Sequence, residues 1–120
     1  MLLRRLEDCP EFVAGDRTVL RELLHPGKQA ARVGYSVAHG FVPVGERSTR
    51  HRLTASEVYY FIAGRGLFHL DQESAVVERG TLLCVPPGAV QSVENTSEEP
   101  LEFLCLVEPA WTPASETVLE

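Results

Sequence analysis

The chain has 120 residues, of which 44% are hydrophobic and 23% are charged, and these values are typical of one globular domain. No apolar run approaches the ~18 residues that a transmembrane helix needs, so we expect no membrane association. The formal net charge is −6 at pH 7. Acidic residues are concentrated in residues 56–120, which carry eleven Asp and Glu and two Lys and Arg. This distribution argues against nucleic-acid binding, which needs a basic surface.

The cysteines and the N-terminus bear on the cellular compartment. Cys9, Cys84 and Cys105 form no CxxC pair, and an odd number disfavours a complete disulfide framework. The N-terminus lacks the charged start and long apolar stretch of a secretory signal. We therefore predict a cytoplasmic protein. Cys84 and Cys105 lie in the apolar runs TLLCVP and EFLCLV, so we expect both to be small core residues.

Most of the chain has the composition of short β-strands. Residues 18–24 are compatible with either a strand or a short helix, which Pro26 and Gly27 would end. Runs rich in β-branched and aromatic residues then alternate with Gly, Pro and Asn turns. The predicted turns are 63–66, 86–88 and 95–97, and the predicted strands are 33–44, 47–54, 57–62, 67–71, 75–78, 81–85, 89–94 and 101–107.

Many short strands with frequent turns indicate an all-β sandwich or barrel. We place this barrel at residues 18–108, after an N-terminal arm at 1–17. Residues 109–120 form a C-terminal tail with two prolines and little periodicity, either an arm or a disordered segment. Trp111 is the exception in the tail, and we expect it to pack on the barrel or on a partner subunit.

Two spaced sets of residues stand out in the strand-rich region. The first follows the pattern G-x5-H-x-L-x3-E-x6-G from Gly45 to Gly64, and it contains His51, Leu53 and Glu57. The second follows the pattern G-x5-P-x-G-x2-Q-x3-N over residues 80–95, and it contains Gln91. With the segments EVYYFIAGRG and LEFLCLVEPAW, these patterns resemble the small single-domain cupins of the RmlC-like type, many of them uncharacterised. The resemblance implies a double-stranded β-helix, the cupin jelly-roll barrel.

The resemblance also implies a metal site inside the barrel. Cupin motifs typically supply three histidines and one glutamate, and the resemblance places His51, Glu57 and Gln91 among the ligands here. Leu53 and Gln91 stand at two of the histidine positions. An imidazole, a carboxylate and an amide oxygen suit a divalent transition metal, which we expect to be Mn, Fe, Zn, Co or Ni.

Strand alternation indicates which side chains meet in the barrel. His51 shares a face with Leu53, Glu57 shares a face with Tyr59, and Gln91 approaches from a third strand. His39, in VAHGF, shares a face with Val37 and Phe41. We predict that this face of the strand points into the barrel. His39 is therefore either a recruited metal ligand or a core histidine bonded to the backbone.

Two interpretations stay open for Glu57 and for Tyr59. Glu57 and Tyr59 are candidate catalytic residues, because burial without a metal would raise the pKa of Glu57 into the range of a general acid or base. The alternatives are an ion pair of Glu57 with a nearby arginine, such as Arg52 or Arg65, and simple packing of Tyr59. We expect His69 to point outward, His25 to lie in a turn or interface, and Cys105 to line the pocket.

Three functions follow from this pattern. The first is a metal-dependent enzyme, such as a decarboxylase, isomerase or dioxygenase, acting on a small molecule. The second is a metal-free barrel that binds a small ligand, and the third is a structural protein with a filled, degenerate pocket. The resemblance also leads us to expect a homodimer.

Overall fold

The structure is a computed structural model that describes residues 1–120. It contains eleven β-strands, two short 3-10 turns at Leu6–Asp8 and Pro113–Ser115, and no α-helix, so the all-β prediction is confirmed. No helix is long or apolar enough to cross a membrane. The strands β1 to β11 span, in chain order, Glu11–Val13, Val19–Leu24, Ser36–Val42, His51–Leu53, Ser56–Ala63, Arg65–Leu70, Glu73–Glu78, Leu82–Val85, Gln91–Asn95, Leu101–Glu108 and Glu116–Val118.

The strands form two antiparallel sheets. The larger sheet has the order β1-β2-β3-β10-β5-β8, and the smaller sheet has the order β11-β4-β9-β6-β7. In the smaller sheet β4 pairs with β9, and His51 lies directly opposite Gln91. In the larger sheet β5 carries Glu57 opposite Val107 of β10. This register brings the two sequence motifs to the same region of the barrel.

Aromatic side chains fill the core between the sheets. Phe61, Phe68 and Phe103 are almost completely buried, and Tyr59 lies among them. The Tyr59 ring lies 5.2 Å from Phe103 and 5.3 Å from Phe68, both in edge-on geometry. Such contacts contribute about 0.5–1.5 kcal/mol each beyond the burial of apolar area. The packing therefore fixes the ring of Tyr59 and with it the position of its hydroxyl.

The hairpin between β5 and β6 depends on a glycine. Gly64 has a φ of +82°, which side chains other than glycine rarely adopt. A Cβ at this position would also lie 2.5 Å from the carbonyl oxygen of Pro100. The turn predicted at residues 63–66 is confirmed, and its sequence is restricted by backbone sterics.

Both terminal segments fold onto the barrel. Residues 18–24, predicted as helix or strand, contribute strand β2, which pairs with β1 and β3. The tail is ordered as well, because β11 pairs with β4 and places Glu116 opposite Leu53. Trp111 packs against Leu53, Ala55 and Val107, as expected for packing on the barrel. Strand β4 is shorter than predicted, and before it a single bridge joins Arg47 to Glu94.

The cysteines are all free, but they differ in burial. Cys9 and Cys105 are buried, whereas Cys84 is exposed. The prediction that Cys84 is a core residue is wrong. Its neighbour Val85 is buried on β8, so alternation turns the Cys84 side chain to the outer face.

Candidate functional site

The two sheets and both terminal segments enclose a cavity of about 550 Å³. This volume is in the range of sites for small organic molecules. Half of the lining residues are hydrophobic, and they include Leu53, Phe103, Val107 and Trp111. The polar residues in the lining that concern the chemistry are Asp16, His51, Glu57, Tyr59 and Glu116.

A closed hydrogen-bond network joins three of the predicted site residues. The Tyr59 hydroxyl donates to Gln91 Oε1 at 2.6 Å and lies 3.2 Å from Glu57 Oε1. Gln91 Nε2 donates to the same Glu57 oxygen at 2.9 Å. All three residues are buried. The structure therefore brings Glu57, Tyr59 and Gln91 together, as strand alternation predicts.

Glu57 keeps one oxygen free for the cavity. Oε1 accepts the bond from Gln91 and lies 3.2 Å from the Tyr59 hydroxyl, while Oε2 accepts no bond from either residue. The Cys105 thiol is a neighbour of the same carboxyl group, and its hydrogen bonding with Glu57 is one cause of the raised pKa of Cys105. No fully buried side-chain oxygen lacks a partner, so Oε2 reaches the cavity that Glu57 lines. Neither Arg52 nor Arg65 pairs with Glu57, because Arg65 bonds Glu78 and Arg52 is exposed.

Burial raises the pKa of Glu57 to about 7. The hydrogen bond from Gln91 and the charge of His51 oppose this rise, and the charge of Asp16 adds to it. Burial also raises the pKa of Tyr59 well above its ordinary value, so its hydroxyl stays protonated. The same cause raises the pKa of the Cys105 thiol, which lines the cavity as predicted and remains uncharged.

His51 is held in one tautomer. Its Nδ1 lies 2.8 Å from the carbonyl oxygen of Thr49, and because a carbonyl only accepts, Nδ1 carries a proton. Nε2 lies 3.4 Å from Asp16 Oδ2. His51 is 3% exposed. Nε2 therefore faces the carboxyl group of Asp16 inside the cavity.

Asp16 is a site residue that the sequence reasoning missed. Its Oδ1 accepts bonds from the backbone nitrogen and the hydroxyl of Thr18, at 3.0 and 2.6 Å. This leaves Oδ2 directed at His51. The short spacing in GDRT is typical of an Asx turn, which predicts a local turn but not a position in the cavity.

Glu116 is the second missed residue, and it comes from the C-terminal tail. It lies on β11, beside the strand that carries His51, and it lines the cavity. Burial raises its pKa, and the charge of Asp16 raises it further. The tail has no periodic pattern, so no signal in the sequence places Glu116 in the barrel.

His39 does not belong to this group. It lies on the outer face of β3, where its Nε2 is 3.2 Å from Glu102 Oε2, and it does not line the cavity. The predicted inward face is wrong because the small residue Gly40 faces the core. A Cβ on Gly40 would lie 2.9 Å from the ring of Phe103, which fills that space.

The other two histidines also lie outside the cavity. His69 is half-buried beside Ser74 and Glu94 on the outer side of β6, opposite in direction to the buried Phe68, which confirms its outward direction. His25 lies at the start of a turn, where its Nε2 donates to the carbonyl oxygen of Trp111 at 2.7 Å and its Nδ1 accepts from Gly27. It thus connects the turn after β2 to the tail.

Comparison with known proteins settles the family. The family model of the cupin domain matches residues 39–107. The chain belongs to the cupin family. This cupin is 36% identical over 110 residues to an uncharacterised protein of Methanocaldococcus jannaschii, and the match covers 91% of this chain and 87% of that protein.

Solved structures confirm the jelly-roll barrel. A nucleoside dehydratase from Streptomyces superposes with a TM-score of 0.77 at 19% identity, over 100% of this chain and 92% of that chain. A predicted oxalate decarboxylase from Thermotoga maritima gives a TM-score of 0.76 at 22% identity, over 90% and 99% of the two chains. At sequence identities of 19% and 22%, the structural similarity shows that the fold is shared.

The donor set of this cupin does not fit the metal site that the resemblance implies. Leu53 is buried in place of one histidine, and the amide oxygen of Gln91 accepts a hydrogen bond from the Tyr59 hydroxyl. Only His51 supplies an imidazole to the cavity. No group of three or more His, Cys, Asp or Glu side chains is arranged to hold a metal ion.

Proposed function

We propose that this cupin binds a small organic molecule in its interior cavity without a metal, and that Glu57 exchanges a proton with that molecule. The position of Glu57 carries the proposal. Its carboxyl group is anchored through Oε1 by Gln91, which Tyr59 in turn holds by a hydrogen bond, while Oε2 faces the cavity. A pKa of about 7 populates both protonation states near neutral pH, which suits a general acid or base.

Tyr59 and Gln91 act as positioning residues in this proposal. Tyr59 is predicted as a candidate catalytic residue, but its hydroxyl is directed to Gln91 inside the protein. Its raised pKa keeps the proton in place, so Tyr59 stays a donor. Gln91 links Tyr59 to Glu57, because its amide oxygen accepts a hydrogen bond from the Tyr59 hydroxyl and its amide nitrogen donates one to Glu57 Oε1. Both residues fix the direction of the Glu57 carboxyl group.

His51 supplies a second proton-transfer group. Its Nε2 lies in the cavity, 3.4 Å from Asp16 Oδ2. The cavity thus presents a carboxyl group and an imidazole, each in a fixed orientation. Of the decarboxylase, isomerase and dioxygenase activities considered, isomerisation by proton transfer is the one that these two side chains support on their own.

The size of the cavity and the fold neighbours support a small molecule as the ligand. The neighbours are named for reactions of small molecules, a nucleoside dehydratase and a predicted oxalate decarboxylase. The cavity is not filled by Leu53 and its apolar neighbours, because about 550 Å³ remain. This volume argues against a purely structural barrel.

A fragment screen with a cavity-narrowing variant tests the proposal. Binding of small organic fragments is measured by ligand-observed NMR on the wild type, on Ala38→Leu in the cavity lining and on Ala75→Leu on an exposed strand. We expect fragments that bind the wild type and Ala75→Leu but lose binding to Ala38→Leu. Elemental analysis accompanies the screen, after incubation with Mn, Fe, Zn, Co and Ni. If no fragment binds the wild type and loses its binding in Ala38→Leu, the proposal is wrong. It is also wrong if about one metal ion binds per chain and this binding is lost in His51→Ala.

A further inference from the structure

The cavity holds more acidic than basic side chains. Its acidic lining residues are Asp16, Glu22, Glu57 and Glu116, and its basic lining residues are Arg4, Lys28 and His51. Two of the basic groups are paired within the lining. Lys28 Nζ lies 2.7 Å from Glu22 Oε1, and His51 Nε2 lies 3.4 Å from Asp16 Oδ2.

Two carboxyl groups remain without a cationic partner. Neither Glu57 nor Glu116 forms a salt bridge, and Glu57 is 6% exposed with Oε2 open to the cavity. The remaining cation is Arg4, an exposed residue of the N-terminal segment whose guanidinium donates to Cys9 Sγ. Once Glu57 and Glu116 are ionised, the buried part of the cavity therefore has a negative charge to which no cation of the lining is paired.

The charge of Asp16 acts on both of these carboxyl groups. Burial is the main cause that raises the pKa of Glu57 and Glu116, the charge of Asp16 adds to the rise in both, and the charge of His51 opposes it in both. A cation placed among them would relieve this repulsion, whereas an anion would increase it.

The apolar walls complete the chemical description. Trp111, Tyr59 and Phe103 line the cavity together with Leu53 and Val107. Aromatic faces attract cations and also bury apolar surface. Carboxyl groups beside aromatic walls are complementary to a molecule that has a positive charge on an apolar body.

We infer that the ligand of this cavity is a small organic amine, bound as its cation with the charged nitrogen at Glu57 and Glu116 and its apolar body against the aromatic wall. This inference rests on the proposed function, since it names the class of the small molecule. It excludes organic carboxylates and phosphates as preferred ligands of the cavity.

Matched compounds that differ in charge test the inference. Benzyl, cyclohexylmethyl and butyl compounds are each used as the amine, the alcohol and the corresponding carboxylate, and affinities are measured at pH 8 by NMR titration. Each titration is repeated on Ala38→Leu, on Glu116→Gln and on Glu73→Gln. Glu73 is an exposed control on β7, outside the cavity lining.

We expect each amine to bind roughly tenfold or more tightly than its carboxylate. Glu116→Gln should weaken the binding of the amines several-fold, and Glu73→Gln should leave it unchanged. If alcohols or carboxylates bind as tightly as amines and lose binding in Ala38→Leu, the inference is overturned while the proposed function stands. If no compound loses binding in Ala38→Leu, the proposed function is overturned and the inference with it.

Discussion

The amide nitrogen of Gln91 donates a hydrogen bond of 2.9 Å to Glu57 Oε1. Gln91 lies opposite His51 in the β4–β9 pair, at a position where the family resemblance implies a histidine ligand. An amide at this position presents a donor to Glu57 and an acceptor to Tyr59. Hydrogen bonds among these side chains therefore take the place that metal–ligand bonds have in the family pattern.

Replacing Glu57 by glutamine should stabilise the protein at alkaline pH. Burial raises the folded-state pKa of Glu57 to about 7, above the ~4.3 of an exposed glutamate. The stability that this group contributes is therefore present at low pH and is lost as pH rises to about 7. Glu57→Gln should raise the free energy of unfolding by about 3 kcal/mol at pH 8 and by under ~0.5 kcal/mol at pH 4.

Urea denaturation at these two pH values measures the effect, with Glu73→Gln as the exposed control. A Glu57→Gln variant that is less stable than the wild type at pH 8 would show that the buried carboxylate is well solvated or paired.

Removing the Tyr59 hydroxyl should destabilise the barrel. Tyr59→Phe leaves the buried Gln91 Oε1 without its donor, and an unpaired buried polar atom costs about 1–3 kcal/mol. Tyr60→Phe is the matched control, because Tyr60 is the next residue on β5 and is 44% exposed. Thermal unfolding of the two variants provides the comparison. Equal losses in both variants would contradict the role of the Tyr59–Gln91 bond.

Introducing histidines at the two positions where the family pattern has them should create a metal site. In Leu53→His/Gln91→His the added imidazoles join His51 and Glu57, which completes the ligand set of the family pattern. We expect the double variant to bind Zn or Ni stoichiometrically at micromolar concentration, and the wild type to bind neither. Isothermal titration calorimetry measures both proteins. Equal binding by the wild type would show that its own donor set is sufficient.

The homodimer stays a prediction, and the outer face of the larger sheet is its candidate interface. Tyr60 and Leu82 are paired neighbours on β5 and β8 and are 44% and 62% exposed. Leu106 is also exposed on the adjacent β10. Contiguous exposed apolar surface is typical of an interaction site.

Light scattering after size exclusion should give a dimer for the wild type and a monomer for Leu82→Lys. Val76→Lys, on an exposed position of the smaller sheet, should remain dimeric. A monomeric wild type, or equal loss of the dimer in both variants, would contradict this interface.

Period-two alternation predicted much of the site correctly. The shared faces of His51 with Leu53 and of Glu57 with Tyr59 are present in the structure, because side-chain direction along a regular strand depends only on residue parity. The motif spacing likewise placed Gln91 beside them. The shared faces follow from residue order within single strands, and the position of Gln91 follows from the spacing of the family motif.

Other features depend on packing between distant segments. His39 was assigned to the wrong face because the space over Gly40 is filled by Phe103, a residue from another strand. Asp16 and Glu116 reach the cavity from the two terminal segments, whose pairing with the barrel has no periodic signal in the sequence. The acidic character of the cavity was therefore visible only in the three-dimensional structure.

Whether Glu57 is a metal-free buried acid is tested by titration of its carboxyl carbon, followed by 13C NMR with and without one equivalent of Zn. Comparison with the spectrum of Glu57→Gln assigns the signal. We expect a midpoint near pH 7 that Zn leaves unchanged, because a buried acid that holds no metal titrates independently of Zn. A midpoint near the ~4.3 of an exposed glutamate, or a titration that Zn abolishes, would contradict it.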